Sequence, residues 1–233
     1  MKNYVRLISP AKINLVLAVG ASREDGFHEV HTIMHSLALH DSLTMRRFEE
    51  DGEGLGFEHE GLSIVLKCET SGDIDSLEVA PEENIAYRAI KELAQELGRT
   101  ENETIHISLS KVIPAEAGLG GGSSNAAAAL LGAATLWGID LQDDRLYAVA
   151  SRLGADVAFF LKGGCAYLSG RGEVFENSLK PRKGLLPWCD QTQEYQQQRP
   201  MQLSMLILAI PIEPILRVFL AKQMLQKLSY GTI

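Results

Sequence analysis

The sequence has few cysteines, no excess of positive charge and no long uninterrupted apolar run. Its three cysteines, Cys68, Cys165 and Cys189, share no metal-ligand spacing and cannot all pair, so we interpret them as ordinary thiols in a reducing compartment. The formal net charge of -8 argues against a nucleic-acid partner or an anionic membrane held by bulk electrostatics. Any anionic substrate must therefore be bound by local groups.

Signals for secretion or membrane insertion are also lacking. The N-terminal residues are polar and soon reach a proline, which is not the pattern of a secretory signal. The most apolar stretch, residues 203–220, is interrupted by two prolines and two charged residues, which disfavours a bilayer span. We therefore predict a cytoplasmic protein without a membrane partner.

Apolar periodicity predicts a mixed α+β chain. Strands are predicted at residues 5–19, 36–48, 104–109 and 163–169, and helices at residues 82–97, 126–136 and 141–153. A short apolar segment covers residues 155–161. The order of these elements is mixed and is not strictly βαβ, and the sequence contains no internal repeat.

A glycine-rich run connects a predicted strand to the alanine-rich helix. Unpaired N–H groups at a helix N-terminus attract phosphate, and glycines let backbone amides approach an anion closely. No lysine follows the run, so it is not a Walker A loop. The alternative is a flexible glycine linker. The candidate phosphate-binding residues are Pro114, Ala115, Glu116, Ala117, Gly118, Leu119, Gly120, Gly121, Gly122, Ser123 and Ser124.

Two polar side chains, Lys12 and Asn14, lie on one face of the otherwise apolar first strand. A lysine near a reacting hydroxyl can stabilise the developing alkoxide and the transferring phosphoryl oxygens, and Asn14 can orient the lysine or a substrate. The alternative is that Lys12 extends its ammonium from the strand end into solvent.

Asp156 is the one acidic residue in the apolar segment 153–161. An unpaired carboxylate there is costly, so we expect a cationic partner. The alternative is an N-cap for a short helix over residues 157–161, and both roles can coexist.

These segments together resemble the GHMP kinase family. The resemblance rests on Ile113 and Pro114 and on the following residues 117–127, AGLGGGSSNAA. Together they resemble the ATP-phosphate motif of that family. The resemblance implies that Asp156 is the general base and that Lys12 acts beside it, with ATP and Mg²⁺ as cofactors and no metal site built by the protein alone. Glu116 departs from the family pattern, since many members carry a small residue there.

Residues 23–30, REDGFHEV, resemble the family segment that presents an aromatic residue and a histidine to a cytidine. Phe27 can stack on the pyrimidine and His28 can hydrogen-bond its edge, although Phe27 replaces the tyrosine usual in the family. Taken alone, His28 could equally be a surface histidine. This segment favours the branch of the family that acts on a cytidine diphosphate-linked methylerythritol.

The resemblance implies a fold and a reaction. The fold is a ribosomal-protein-S5-like N-terminal domain followed by an incomplete ferredoxin-like C-terminal domain, with the active site between them. The reaction is ATP-dependent phosphorylation of the substrate's 2-hydroxyl in isoprenoid biosynthesis, by a monomer or homodimer. The alternatives are a GHMP kinase for mevalonate, homoserine or a sugar, and an inactive nucleotide-binding remnant.

The resemblance runs from about Tyr4 to about Lys180, which divides the chain into residues 1–180 and a divergent or aberrant tail, residues 181–233. The same bases can be read in a shifted frame that begins at the third base of each codon. In that frame, the codons of Trp188 and Cys189 can encode only valine at their junction. Gln193 to Ser204 then permit GVSTAEAYAAF, which resembles the family's next segment. We therefore hypothesise a frameshift between roughly Pro181 and Pro187. The alternative is a genuine tail with an apolar helix over residues 203–228.

Overall fold

The computed structural model describes residues 2–22, 26, 28–49, 61–70 and 80–181 of the 233 residues. The chain divides into two units, Met1–Thr192 and Gln193–Ile233, and all described residues belong to the first. The predicted tail, residues 182–233, lies outside the described residues. Among the residues described, no helix combines the length and apolarity that crossing a bilayer requires.

The elements alternate between strands and helices. In chain order they are β1 (Tyr4–Ser22), β2 (His28–Glu49), β3 (Leu62–Thr70), α1 (Ile85–Leu97), β4 (Glu103–Lys111), α2 (Gly121–Trp137), α3 (Asp144–Leu153), α4 (Ala155–Lys162), β5 (Cys165–Ser169) and β6 (Val174–Leu179). A 3₁₀ turn, Pro81–Glu83, precedes α1. Helices α1 and α3 begin at Asn84 and Asp143, whose side chains accept the first free backbone N–H groups.

The predicted elements agree with this order, with three differences. Helix α2 begins at Gly121 instead of Ala126, so the two serines lie in its first turn. Strand β2 begins at His28, because the polar residues 28–36 pair with β1 and β5 although their sequence alternates poorly. Strands β3 and β6 are not predicted by the pattern, and α4 is a helix over the segment that is apolar in sequence.

Strand β2 is the centre of the sheet. The strand order is β3-β4-β2-β5-β6, and β1 pairs along the other edge of β2. On its shared edge, β2 pairs with β5 over Thr32–His35 and with β4 over Ser42–Glu49. Residues 36–41 of β2 thus lie between the β5 and β4 ladders. The sheet is mixed, since β3 and β4 are parallel and the other pairs are antiparallel.

The main core lies where helices α1 and α2 pack on the sheet. Most residues of α2 are buried, and its alanines let the helix approach the strands closely. At Gly132 a Cβ atom would lie 2.3 Å from the Met45 sulfur, so glycine is required for this approach. The alanine-rich helix is therefore held firmly on the sheet, with its N-terminus at the end of β4.

Candidate active site

The nine residues between β4 and α2 form a loop with three left-handed positions. We call residues 112–120 the glycine loop. Glu116, Gly118 and Gly120 have φ angles of 56°, 71° and 70°, and Glu116 is the one non-glycine residue with positive φ among those described. Gly120 is the N-cap of α2, and no side chain caps this end of the helix. Alternating left-handed residues before an uncapped helix N-terminus turn backbone N–H groups toward one concave space, which suits an anion.

The glycine loop borders an open cleft of about 470 Å³. Its apolar walls include Leu66, Leu109 and Ile85, and all the loop residues from Ile113 to Gly120 line it. Ser123 lines the cleft as well, whereas Ser124 is buried and its hydroxyl has no hydrogen-bond partner. Of the two serines, Ser123 is thus the one placed to meet a ligand in this cleft.

Charged groups of both signs border the cleft. Glu116 is exposed on the loop, and Lys111 lies at the end of β4. Cys68 of β3 also lines the cleft; burial raises the pKa of its thiol, and the nearby Lys111 ammonium partly opposes that shift. A raised pKa leaves this thiol a poor nucleophile at neutral pH. The cleft therefore offers binding groups and no activated cysteine.

Lys12 and Asp156 form an ion pair beside the loop. The Lys12 Nζ lies 3.4 Å from the Asp156 Oδ2 and donates to the Asn14 Oδ1 at 2.7 Å. Asn14 in turn donates to the Thr32 hydroxyl at 2.7 Å, which fixes the amide. Lys12 is only 7% exposed, so it does not extend into solvent. Asp156 lies in the first turn of α4, where Gly154 is the N-cap, so the N-cap role does not apply.

The glycine loop contacts this pair directly. The backbone N–H of Lys12 donates to the Leu119 carbonyl at 2.9 Å. A Cβ atom on Gly120 would lie 3.0 Å from the Lys12 Cγ and 3.1 Å from the Phe160 ring. Lys12 and Asp156 do not line the cleft, but Gly120 does, so the lysine meets the loop where the loop enters α2.

The structure brings some predicted site residues together and leaves others apart. Lys12, Asn14, Asp156 and the glycine loop form one cluster. His28 lies at the start of β2, exposed, with its Nδ1 3.0 Å from the Gly20 carbonyl. Phe27 lies outside the described residues, although the adjacent Gly26 has a φ of 80°, as a glycine turn requires.

Sequence patterns missed three residues beneath the loop. The Asp41 carboxylate is fully buried and accepts hydrogen bonds from Lys111, from Asn125 and from the backbone at the start of the loop. Asp41 is far away in sequence, and a single acidic residue in a strand gives no local signal. Of these three residues, Asn125 is the one that a sequence pattern could have indicated, because it directly follows the predicted Ser123 and Ser124.

Metal binding by the protein alone finds no support in the described ranges. They contain no group of three or more histidine, cysteine, aspartate or glutamate side chains that could hold a metal ion. A divalent cation here would depend on phosphate oxygens for most of its ligands, and Ser123 and Glu116 are among the residues with side-chain oxygens that line the cleft.

Comparisons with known proteins agree with this geometry. Residues 84–164, which include the glycine loop and Asp156, match the family model for the GHMP kinases N terminal domain. The chain is 42% identical over 170 residues to a 4-diphosphocytidyl-2-C-methyl-D-erythritol kinase of Salinispora tropica, covering 73% of this chain and 49% of the relative. A kinase of the same name from Nocardioides sp. is 43% identical over 166 residues, covering 71% and 51%.

Solved structures give the same fold. A crystal structure of 4-(cytidine 5'-diphospho)-2C-methyl-D-erythritol kinase matches with a TM-score of 0.55 and 35% identity, covering 74% of this chain and 54% of that one. A phosphotransferase related to the CoA biosynthesis pathway matches with a TM-score of 0.52 at 16% identity, covering 76% and 57%, which shows the fold alone.

The chain spans about half the length of the curated relatives that it matches. The predicted N-terminal domain fold is confirmed, whereas the incomplete ferredoxin-like domain stays a prediction. The family match covers both the glycine loop and the element that carries Asp156, and the curated relatives match over about twice that length of chain. The predicted family resemblance is thus confirmed, and residues 84–164 belong to a GHMP kinases N terminal domain.

Proposed function

We propose that the chain transfers the γ-phosphoryl group of ATP to the 2-hydroxyl of 4-diphosphocytidyl-2-C-methyl-D-erythritol, a step of isoprenoid biosynthesis. The observation that carries the proposal is the Lys12–Asp156 pair, 3.4 Å apart, in contact with the end of the glycine loop. A base and a cation beside a phosphate-binding loop are the groups that phosphoryl transfer to an alcohol needs.

The glycine loop is the proposed triphosphate site. The backbone N–H groups at the start of α2 and the helix dipole both favour phosphate oxygens. The apolar walls, Leu66, Leu109 and Ile85, fit the planar base of the nucleotide. Mg²⁺, when bound with ATP, would neutralise charge on the phosphates, and Ser123 is the hydroxyl positioned to be its ligand.

Asp156 is the proposed general base. Its carboxylate accepts the proton of the substrate hydroxyl while the hydroxyl oxygen bonds to the γ-phosphorus and the bond from that phosphorus to the bridging oxygen of ADP breaks. The Lys12 ammonium stabilises the charge that develops on the alcohol and phosphoryl oxygens. Asn14 and Thr32 hold the ammonium in place through a chain of hydrogen bonds.

The cytidine would be recognised by residues 26–28. Phe27 is the proposed stacking residue, and His28 is the proposed hydrogen-bonding residue for the edge of the pyrimidine. His28 lies at the start of β2, apart from Lys12, which pairs with Ser36 farther along the strand. An extended substrate with its pyrimidine at one end and its alcohol at the other fits that separation.

Kinase assays test this proposal. We expect phosphorylation of the cytidine substrate and none of mevalonate, and we expect Asp156→Asn to lower kcat by about 10²- to 10⁴-fold because it removes the general base. Asp144→Asn is the matched control, since Asp144 is an exposed carboxylate on α3. Turnover of mevalonate instead would assign the chain to another branch of the family.

A second candidate is an inactive nucleotide-binding remnant, which is kept because the match covers only about half of the relatives' length. It predicts ATP binding with no phosphoryl transfer to any alcohol. Phosphorylation that Asp156→Asn abolishes would exclude it. Cytoplasmic location and a monomeric or homodimeric state stay predictions from the sequence.

A further inference from the structure

The buried carboxylate of Asp41 connects both ends of the glycine loop. Its Oδ1 accepts from the backbone N–H groups of Val112 and Ile113, at 2.7 and 2.8 Å, where the chain leaves β4. Its Oδ2 accepts from the Asn125 amide at 2.9 Å, in the second turn of α2 beyond the loop. The start of the loop and the helix that follows the loop are thus both hydrogen-bonded to one carboxylate on a third element, β2.

Lys111 completes this cluster. Its Nζ lies 2.5 Å from the Asp41 Oδ2 and donates to the Asn125 Oδ1 at 2.9 Å. The side chains of Asp41, Lys111 and Asn125 therefore form a closed triangle of contacts. Asp41 has no exposed surface and Asn125 is 2% exposed, whereas the Lys111 side chain is 16% exposed where it borders the cleft, so the carboxylate itself is shielded from water. Charge-assisted hydrogen bonds are strongest in such shielded sites.

The conformation of the glycine loop needs contacts from outside the loop, and the Asp41 cluster provides such contacts. The glycine loop has left-handed residues at three alternate positions, each of which a flexible chain would leave readily. Its glycines make few contacts of their own, because neither Gly118 nor Gly120 carries a side chain. Something outside the loop must fix the distance between its two ends, and Asp41 is the group that contacts both.

We propose that Asp41 is a positioning residue for the nucleotide, which holds the glycine loop in its phosphate-binding conformation without contacting the phosphates. This inference rests on the proposed ATP site. It assigns to the Asp41 cluster a share of the ATP affinity, because a loop that is ordered before binding loses less conformational entropy when the ligand arrives.

Asp41→Asn tests the proposal with the full chain. The asparagine keeps the shape and can still accept from the backbone, but its NH₂ group faces the Lys111 and Asn125 donors instead of accepting from them. We expect the Kd for Mg-ATP to rise about tenfold or more, the effect of losing one charge-assisted hydrogen bond. The KM for ATP should rise likewise, and the KM for the alcohol substrate should stay the same.

Glu103→Gln is the matched control. Glu103 is a carboxylate 1% exposed at the opposite end of β4, bonded to Arg47 and Arg99. Both variants lose a buried ionic contact, so both should lower the melting temperature. Only Asp41→Asn should weaken ATP binding. Equal loss of ATP affinity in both variants would make Asp41 a purely structural residue and overturn the proposal.

Hydrogen exchange separates this proposal from the proposed function. Without nucleotide, Asp41→Asn should speed amide exchange in residues 112–123 and leave α1 unchanged. If wild-type protein binds no Mg-ATP, the proposed function fails while the exchange result still stands. If wild type binds and Asp41→Asn binds equally well with unchanged exchange, the positioning role is wrong.

Asn125→Ala covers the case in which Asp41→Asn does not fold. It removes the contact at the α2 end and leaves Asp41 paired with Lys111 and the two backbone N–H groups. We expect it to raise the Kd for Mg-ATP in the same direction. An unchanged Kd in this folded variant would contradict the proposal.

Discussion

At the scale of single residues, Lys12 connects the two halves of the site. Its backbone N–H binds the Leu119 carbonyl, its aliphatic part packs against Gly120, and its ammonium lies between Asn14 and Asp156. A displacement of the glycine loop would therefore move the ammonium relative to the carboxylate. In the proposed mechanism, this one side chain would couple phosphate binding to activation of the alcohol.

Gly120→Ala and Gly118→Ala test that coupling. Both glycines have left-handed φ angles, 70° and 71°, so alanine at either position costs about 1–2 kcal/mol of backbone strain. Only at Gly120 would the new Cβ meet the Lys12 and Phe160 side chains, because nothing lies within 4 Å at Gly118. We therefore expect Gly120→Ala to lose far more turnover than Gly118→Ala, measured at saturating substrates.

Urea unfolding supplies the control for this pair. The shared strain should lower the unfolding free energy of both variants, and the contact with Lys12 should add to the loss in Gly120→Ala. Equal turnover in the two variants would show that the contact between Gly120 and Lys12 has no catalytic consequence.

How far the sequence predicts the site depends on whether a residue's role is local. The glycine loop and Lys12 were predictable because glycines before a helix and a lysine in an apolar strand are unusual within their own neighbourhood. Asp41 was not, since its partners are Lys111, Val112, Ile113 and Asn125, all distant in sequence. Its environment exists only after β2, β4 and α2 have assembled.

At the scale of elements, helix α2 determines where the proposed phosphate site lies. The proposed site is at its N-terminus, and its buried alanines and Gly132 allow its close approach to the sheet. Periodicity predicted the helix, because alanine favours helices, but placed its start five residues late, at Ala126, since glycines lower helix propensity. Strand β6 was missed because VFENSL is short and has three consecutive polar residues, which break the alternation expected of a strand.

Gly132→Ala should destabilise the domain although alanine is the better helix former. The added Cβ would lie 2.3 Å from the Met45 sulfur and 3.2 Å from the Leu7 side chain, so the helix or the sheet must shift. Overpacking of this kind costs about 1–3 kcal/mol. Thermal and urea unfolding measure the loss.

Gly122→Ala is the control in the same helix. Its Cβ would meet only Ile85, at an ordinary contact distance of 3.7 Å. Helix propensity should then leave its stability unchanged or raise it by up to about 1 kcal/mol. Gly132→Ala as stable as Gly122→Ala would contradict the close approach of α2 to β1 and β2.

At the scale of the whole molecule, the relatives match over 166 to 170 of the 233 residues, so part of the chain lies outside these matches. The division into residues 1–180 and a tail, residues 181–233, stays a prediction from the sequence. The tail itself lies outside the described residues, so the frameshift hypothesis remains a prediction from the genetic code.

The DNA sequence across codons 181–205 tests the frameshift. We expect its alternative frame to spell GVSTAEAYAAF or a close variant, and a chain with that frame restored to have higher specific activity than the 233-residue chain. Bases that spell an unrelated string would establish residues 181–233 as a genuine tail. Assaying both chains in parallel with the cytidine substrate gives the comparison.

One segment of β2 pairs with neither β5 nor β4, and this determines where the chain can tolerate deletions. Residues 36–41 separate the part of β2 paired with β5 from the part paired with β4, and Asp41 is the last of them. Deleting two of the residues before Asp41 would keep every later side chain on its own face of the sheet, yet move Asp41 by about 7 Å toward β5. The same shift would move the buried Leu43 and Met45 along β4, so both the core and the loop anchor would be lost, and natural variation in length should be tolerated at the hairpin tips and excluded from this interval.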